Sequence, residues 1–168
     1  MRKFAYLATA ALALAGCLSL SACNNQDDNQ QASTQVQKLT KPSDPNDAKA
    51  WGAYLTQIVQ AHMQGMTATQ PYPYMVPAGD DDASQASRDR QLQNVQDTVA
   101  RGVLPGNLLA FAGPDSGKTA DLITTAFKDA KPGSFKGVIV LFIGDQADEQ
   151  RVDDVLKPTG AEVRFVQM

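Results

Sequence analysis

Residues 112–119 (AGPDSGKT) bring together several groups that could bind an anion. They lie between an apolar stretch that predicts a strand and a segment with helical periodicity. Gly113 and Asp115 then fall in the turn, and Lys118 and Thr119 fall at the helix start, where free N–H groups carry partial positive charge. Asp145 follows the next apolar stretch and would lie at the same edge of a parallel sheet. These five residues form the candidate ligand-binding site.

The same eight residues resemble the relaxed form of the phosphate-binding loop of nucleotide hydrolases, which allows alanine first and ends in Gly-Lys-Thr. The resemblance implies that residues 113–118 cradle phosphates, that the Thr119 hydroxyl binds magnesium and that Asp145 approaches the metal. The chain after Thr119 has room for only two more strands, whereas that family needs a larger sheet. A structural interpretation also fits, because glycine and proline make turns and Asp115 is a good helix cap.

No other pattern indicates catalysis. The serines lack a glycine-flanked nucleophile elbow, and the single histidine, His62, lies in a helical stripe without a catalytic partner. The two cysteines, Cys17 and Cys23, precede the polar segment, so the rest of the chain has no soft metal site. We therefore expect no cofactor, no metal and no enzymatic activity.

The amino terminus has the pattern of an export signal. Arg2 and Lys3 precede an uncharged, largely apolar stretch (4–20), which is typical of a secretory signal and short for a membrane span. The stretch ends in residues 20–23 (LSAC), which are similar to the lipobox of bacterial lipoproteins. The resemblance implies that residues 1–22 are removed and that Cys23 becomes a lipidated first residue. Export would also take the protein away from the nucleoside triphosphates that a nucleotide hydrolase needs.

Cys17 is an alternative lipidation site, because residues 14–17 (LAGC) also match the lipobox. Lipidation there would leave an apolar stub ahead of the polar residues, whereas Cys23 lies directly before them. An ordinary cleaved signal with two incidental cysteines is a third interpretation. In the lipoprotein family the second mature residue influences sorting, and Asn24 is not the aspartate associated with inner-membrane retention. The resemblance therefore implies lipid anchoring to the outer membrane on its periplasmic side, if the host is Gram-negative.

The residues after the signal divide into a tether and a domain. Residues 23–43 are polar and poor in large apolar side chains, which predicts a disordered tether. Residues 44–168 are enough for one core and predict a single α/β domain, helical over 44–102 and β-α-β-α-β over 106–168. The formal net charge of −3 argues against a nucleic-acid partner, which favours a basic face.

Two helices are predicted in the first part of the domain. Asp44-Pro45 is a start signal for the first helix, and residues 83–101 form a second helix with a thin apolar stripe. Between them, residues 67–82 are predicted to form a loop, because the three prolines of QPYPYMVP exclude a helix and weaken a strand. This loop either covers the core or presents its tyrosines and methionine to a partner.

The second part of the domain alternates strand and helix. Strands are predicted at 107–112, 138–143 and 161–167, and helices at 119–130 and 148–157. The central stretch VIVLFI is apolar throughout, which indicates a parallel strand buried on both faces, while the last stretch alternates like an edge strand. The sequence therefore predicts a small three-stranded parallel sheet with two N-terminal helices, at least one of which covers the open face.

Taken with the anchor, these observations favour a non-enzymatic envelope lipoprotein. Its expected partners are the membrane, through the lipid, and an envelope protein. The alternative function is that of an anion- or nucleotide-binding domain that uses the turn at 112–119.

Overall fold

The computed structural model describes residues 40–168. Cys17, Cys23, the predicted signal peptide and most of the predicted tether lie outside the described residues. In chain order the elements are α1 (Ala48–Ala61), β1 (Tyr72–Met75), α2 (Asp82–Arg101), β2 (Leu108–Ala112), α3 (Ser116–Phe127), β3 (Ile139–Gly144), α4 (Gln146–Leu156), a 3-10 turn (Lys157–Thr159) and β4 (Glu162–Gln167). The predicted α/β architecture with a parallel sheet is confirmed.

The sheet has four strands in the order β1-β2-β3-β4, all parallel, rather than the predicted three. The additional strand, β1, lies within the proline-rich segment that was predicted to be a loop. Its Tyr72 aligns with Leu109 of β2, and the N–H of Val76 donates to the Ala112 carbonyl at 2.7 Å. An edge strand tolerates proline where the missing N–H would face away from its neighbour, and Pro73 occupies such a position.

Helices cover both faces of the sheet. The helices α2, α3 and α4, which connect successive strands, pack on one face around Phe111, Phe127 and Phe142. Helix α1, one of the two predicted N-terminal helices, covers the other face with Trp51 and Leu55. All six residues of β3 are buried between these two layers, which confirms the prediction of a central strand. Together the two layers form the cores of one compact unit.

Aspartates set three of the helix starts. Asp47, Asp81 and Asp115 each accept a hydrogen bond from a backbone N–H in the first turn of α1, α2 and α3. Asp44, which the sequence suggested as the start of the first helix, does not cap α1. Its side chain instead accepts a hydrogen bond from the N–H of Asn46 at 2.8 Å, before the helix begins. Over the described residues, no helix has both the length and the apolar character needed to cross a membrane.

Candidate functional site

The turn between β2 and α3 is short and closely packed. Gly113 follows the strand directly, and a Cβ atom at this position would lie 2.3 Å from the Val76 carbonyl oxygen. Asp115 is the N-cap of α3, and its carboxylate accepts from the N–H of Lys118 at 3.0 Å. The cap therefore satisfies one of the free N–H groups that an anion would otherwise contact. Glycine is required here by the close approach of the chain after β1.

The ammonium group of Lys118 is bound within the protein. It donates to the Ala78 carbonyl oxygen and lies 2.5 Å from a carboxylate oxygen of Asp80. A hydrogen bond from Lys118, together with its charge, lowers the pKa of the Asp80 carboxyl. Asp115 lies further away, at 3.9 Å from the same nitrogen. Lys118 thus connects the start of α3 to the segment between β1 and α2, and its charge is already balanced.

The hydroxyl of Thr119 is also committed internally. Thr119 is fully buried, and its hydroxyl donates to the Asp115 carbonyl oxygen at 2.9 Å. A magnesium ligand must direct its oxygen toward an accessible metal position. The structure therefore places Thr119 at the predicted start of the helix, with its hydroxyl facing the backbone of the preceding turn.

Asp145 lies at the same sheet edge as the β2–α3 turn. Its backbone N–H donates to the Ser116 hydroxyl at 2.7 Å, while its exposed carboxylate makes no capping hydrogen bond to α4. The structure thus brings together the backbone of Asp145 and the start of α3, as the topology predicted. Among the five predicted site residues, Asp145 is the one whose side chain is exposed and makes no hydrogen bond to the start of a helix.

A polar network that the sequence did not reveal joins α3 to α4. Asp148 accepts from the buried Ser116 hydroxyl at 2.5 Å and from Arg151 Nε at 2.9 Å. Arg151 also donates to the Gly117 carbonyl at 2.9 Å and to Asp121 at 2.5 Å. The spacing of Asp148 and Arg151 by three helical residues was a signal for their pairing, but the link to α3 spans distant parts of the chain.

Asp148→Asn should lower stability at neutral pH by about 1–3 kcal/mol, because the carboxylate accepts charge-assisted hydrogen bonds. Burial acts to raise the pKa of Asp148, but hydrogen bonds from Ser116 and Arg151 outweigh it and lower that pKa. The stabilisation is therefore present above the unfolded-state pKa and is lost as pH falls through the folded-state pKa. The free energy of unfolding of the unaltered protein and of Asp148→Asn, measured across the acid range, checks this. The same loss of stability with falling pH in the two proteins would contradict it.

We find no match to this chain among protein-family models, characterised proteins or solved structures. Functional assignment therefore rests on the residues themselves. Among residues 40–168, no three His, Cys, Asp or Glu side chains come together in a way that could hold a metal ion. The Lys118 ammonium and the Thr119 hydroxyl, which could bind an anion, are bonded to groups of the protein itself.

A different surface feature lies beside the proline-rich strand. Helix α1 leaves the outer part of β1 uncovered, which creates a groove of about 470 Å³ between the helix and this strand. The groove is mainly apolar and contains no charged residue in its lining. Met75 in its wall is 37% exposed. The residues that line the groove are Gly52, Leu55, Thr56, Val59, Gln60, Met63, Pro71, Pro73, Tyr74, Met75 and Ala112.

The purified protein should bind neither ATP nor GTP with magnesium at micromolar concentrations, because the Lys118 ammonium and the Thr119 hydroxyl are already bonded. Isothermal titration calorimetry with ATP, GTP and inorganic phosphate checks this. A micromolar dissociation constant for either nucleotide that is lost in Lys118→Ala, but kept in the control Lys128→Ala, would contradict it. Lys128 is suited as the control because its side chain is 63% exposed and lies at the other end of α3.

Proposed function

We propose that this protein is a lipoprotein anchored through Cys23 to the outer membrane, on its periplasmic side, and that its domain binds an envelope protein without catalysing a reaction. The lipobox-like residues 20–23 and the polar stretch after them support the anchor. Asn24 in the second mature position supports the outer-membrane destination. The domain supplies the binding surface.

The observation that carries the non-enzymatic proposal is the state of the β2–α3 turn. Its lysine, threonine and aspartate side chains bond to the protein's own carbonyl, N–H and carboxylate groups. To hold a phosphate, Lys118 would have to leave Asp80 and Ala78. The Lys118 ammonium would then lose the hydrogen bonds that it already makes to these two groups. We therefore infer that the turn has a structural role and connects the start of α3 to the segment between β1 and α2.

The groove between α1 and β1 is the surface that we assign to partner binding. Its lining is uncharged and mainly apolar, so charged contacts would be desolvated there without compensation. The part of the partner that enters it should therefore be an apolar, uncharged segment. Exposed Met75 suits such a contact, because methionine is flexible and adapts to different apolar surfaces.

Photo-crosslinking in intact envelopes tests this proposal. A photoreactive residue in place of Met75 should yield a discrete heavier adduct, whereas the same residue in place of Gln150, exposed on α4, should not. Met75→Glu introduced alongside a photoreactive residue at Gln60 should remove the Gln60 adduct, while Met75→Leu should preserve it. Equal adducts at the groove and at Gln150, or insensitivity to Met75→Glu, would count against the groove.

A further inference from the structure

Strand β4 exposes a free hydrogen-bonding edge. The N–H of Glu162 donates to Val138 at 2.8 Å and the N–H of Met168 donates to Gly144 at 3.0 Å, so the even-numbered residues of this strand face β3. In a parallel ladder alternate residues face the neighbouring strand. The backbone groups of Val163, Phe165 and Gln167 therefore point away from the sheet. Within residues 40–168, nothing bonds to their N–H or carbonyl groups.

The opposite edge of the sheet, formed by β1, is closed to another strand. Because Val76 faces β2, the outward positions of β1 are Pro73 and Met75, and Pro71 directly before the strand also points outward. Both prolines lack an N–H, and the Met75 carbonyl already accepts from the Gln91 side chain at 2.9 Å. Proline at an outward position is a recognised protection against edge pairing. Of the two sheet edges within residues 40–168, the β4 edge is the one that offers a full set of backbone donors.

We propose that two copies of this chain associate through β4, antiparallel and in a register centred on Phe165, to form one continuous sheet across a two-fold axis. In this register Phe165 pairs with Phe165 of the second copy, and Val163 pairs with Gln167. Every outward N–H of the strand then finds an outward carbonyl of the other copy. A two-fold interface uses the same patch on both copies, which a self-complementary strand satisfies.

The charge of Arg164 disfavours the neighbouring register that is centred on it. A register centred on Arg164 would place two arginines directly opposite each other, and like charges in that position are destabilising. Centred on Phe165, the Arg164 of one copy lies opposite Val166 of the other. Its guanidinium remains bound to Glu162 at 2.5 Å and to the His62 carbonyl at 2.6 Å.

Three apolar side chains of β4 are available to a second copy. Val163 and Phe165 pack against the core on the α3–α4 face, and Val166 packs on the α1 face, yet all three remain partly exposed. Pairing across the two-fold axis places the two Phe165 rings on the same face of the joined sheet. Cross-strand aromatic pairs of this kind stabilise a sheet. The second copy would therefore extend both cores as well as the hydrogen-bond ladder.

Residues 40–168 are used for the test, because they contain every core residue in the part of the chain that the structure describes. Light scattering on this fragment should give about twice the monomer mass, as for a closed two-fold pair. Gln167→Pro removes an outward N–H from an exposed position without touching the bonds to β3, and it should give the monomer. Gln167→Ala keeps the N–H and should stay dimeric. A monomer for the unaltered fragment into the millimolar range would overturn the proposal.

Disulfide formation tests the register independently. The fragment contains no cysteine, so a Val163→Cys chain mixed with a Gln167→Cys chain should form a crosslinked heterodimer under mild oxidation, because the paired Cα atoms lie within disulfide range. Arg164→Cys should not crosslink to itself. Crosslinking of Arg164→Cys, or a dimer that persists in Gln167→Pro, would overturn the β4 pairing. Neither result depends on the anchor or on the partner-binding groove.

Discussion

Phe142→Ala is expected to lower the free energy of unfolding by about 3–5 kcal/mol, the cost of a large-to-small change in a packed core. Phe142 lies in the central strand β3 and is 1% exposed. Its ring lies 5.7 Å from that of Phe165, and it belongs to the core formed with α3 and α4. Removing the ring leaves a cavity that the two neighbouring strands prevent from collapsing fully.

Denaturant unfolding of residues 40–168 measures this effect. Leu104→Ala is a matched control, because Leu104 is also a large apolar residue but is 77% exposed. We expect its effect to stay within about 0.5 kcal/mol, as for surface substitutions away from special features. A loss below about 1 kcal/mol for Phe142→Ala would show that this face of β3 is not packed against α3 and α4 in solution.

Cys23→Ala is expected to abolish lipidation completely. The proposed anchor consists of a lipid on this residue, so its loss should either release the domain from the membrane or leave an unprocessed precursor. Metabolic labelling with a tagged fatty acid, followed by fractionation of membranes and soluble periplasm, measures both outcomes. We expect complete loss of lipidation, because the proposed anchor attaches the lipid through the Cys23 thiol alone.

Cys17→Ala is the matched control for the anchor. It removes the other cysteine in a lipobox-like setting but leaves residues 20–23 intact. Labelling and membrane association should be unchanged in this variant. Label that is kept in Cys23→Ala and lost in Cys17→Ala would reverse the assignment of the two cysteines.

The long-range alternation of strands and helices was predictable from the sequence. Residues 138–143 are apolar at every position, and only a strand covered on both faces accommodates that pattern. The apolar stripe of α1 likewise predicted the cover of the remaining face. In both cases the signal lies within a short stretch of sequence, so it can be recognised without knowing which segments pack against it.

Strand β1 was not predictable in the same way. Its prolines argue against a central strand, and only the tertiary position at the sheet edge makes them acceptable. The groove beside Met75 depends on this strand and could not be foreseen without it. The sequence indicated that the tyrosines and the methionine of this segment could be presented to a partner. It did not show that α1 and β1 together line a groove.

The chemistry of the β2–α3 turn was only partly predictable. Local spacing placed Asp115, Lys118 and Thr119 at a helix start, and the structure has them there. The partner of Lys118 is Asp80, which lies far away in the chain within a run of three aspartates. In the structure Asp81 caps α2, which leaves Asp80 for the lysine. Such pairings depend on the packing of distant segments.

The mass of the amino-terminal peptide of the mature protein would decide whether Cys23 is the anchor. After extraction from the membrane and proteolysis, we expect a peptide that begins at Cys23, continues with Asn24 and carries a covalent lipid on the cysteine. A lipid-free amino terminus, or a mature chain that begins at another residue, would contradict the proposed anchor.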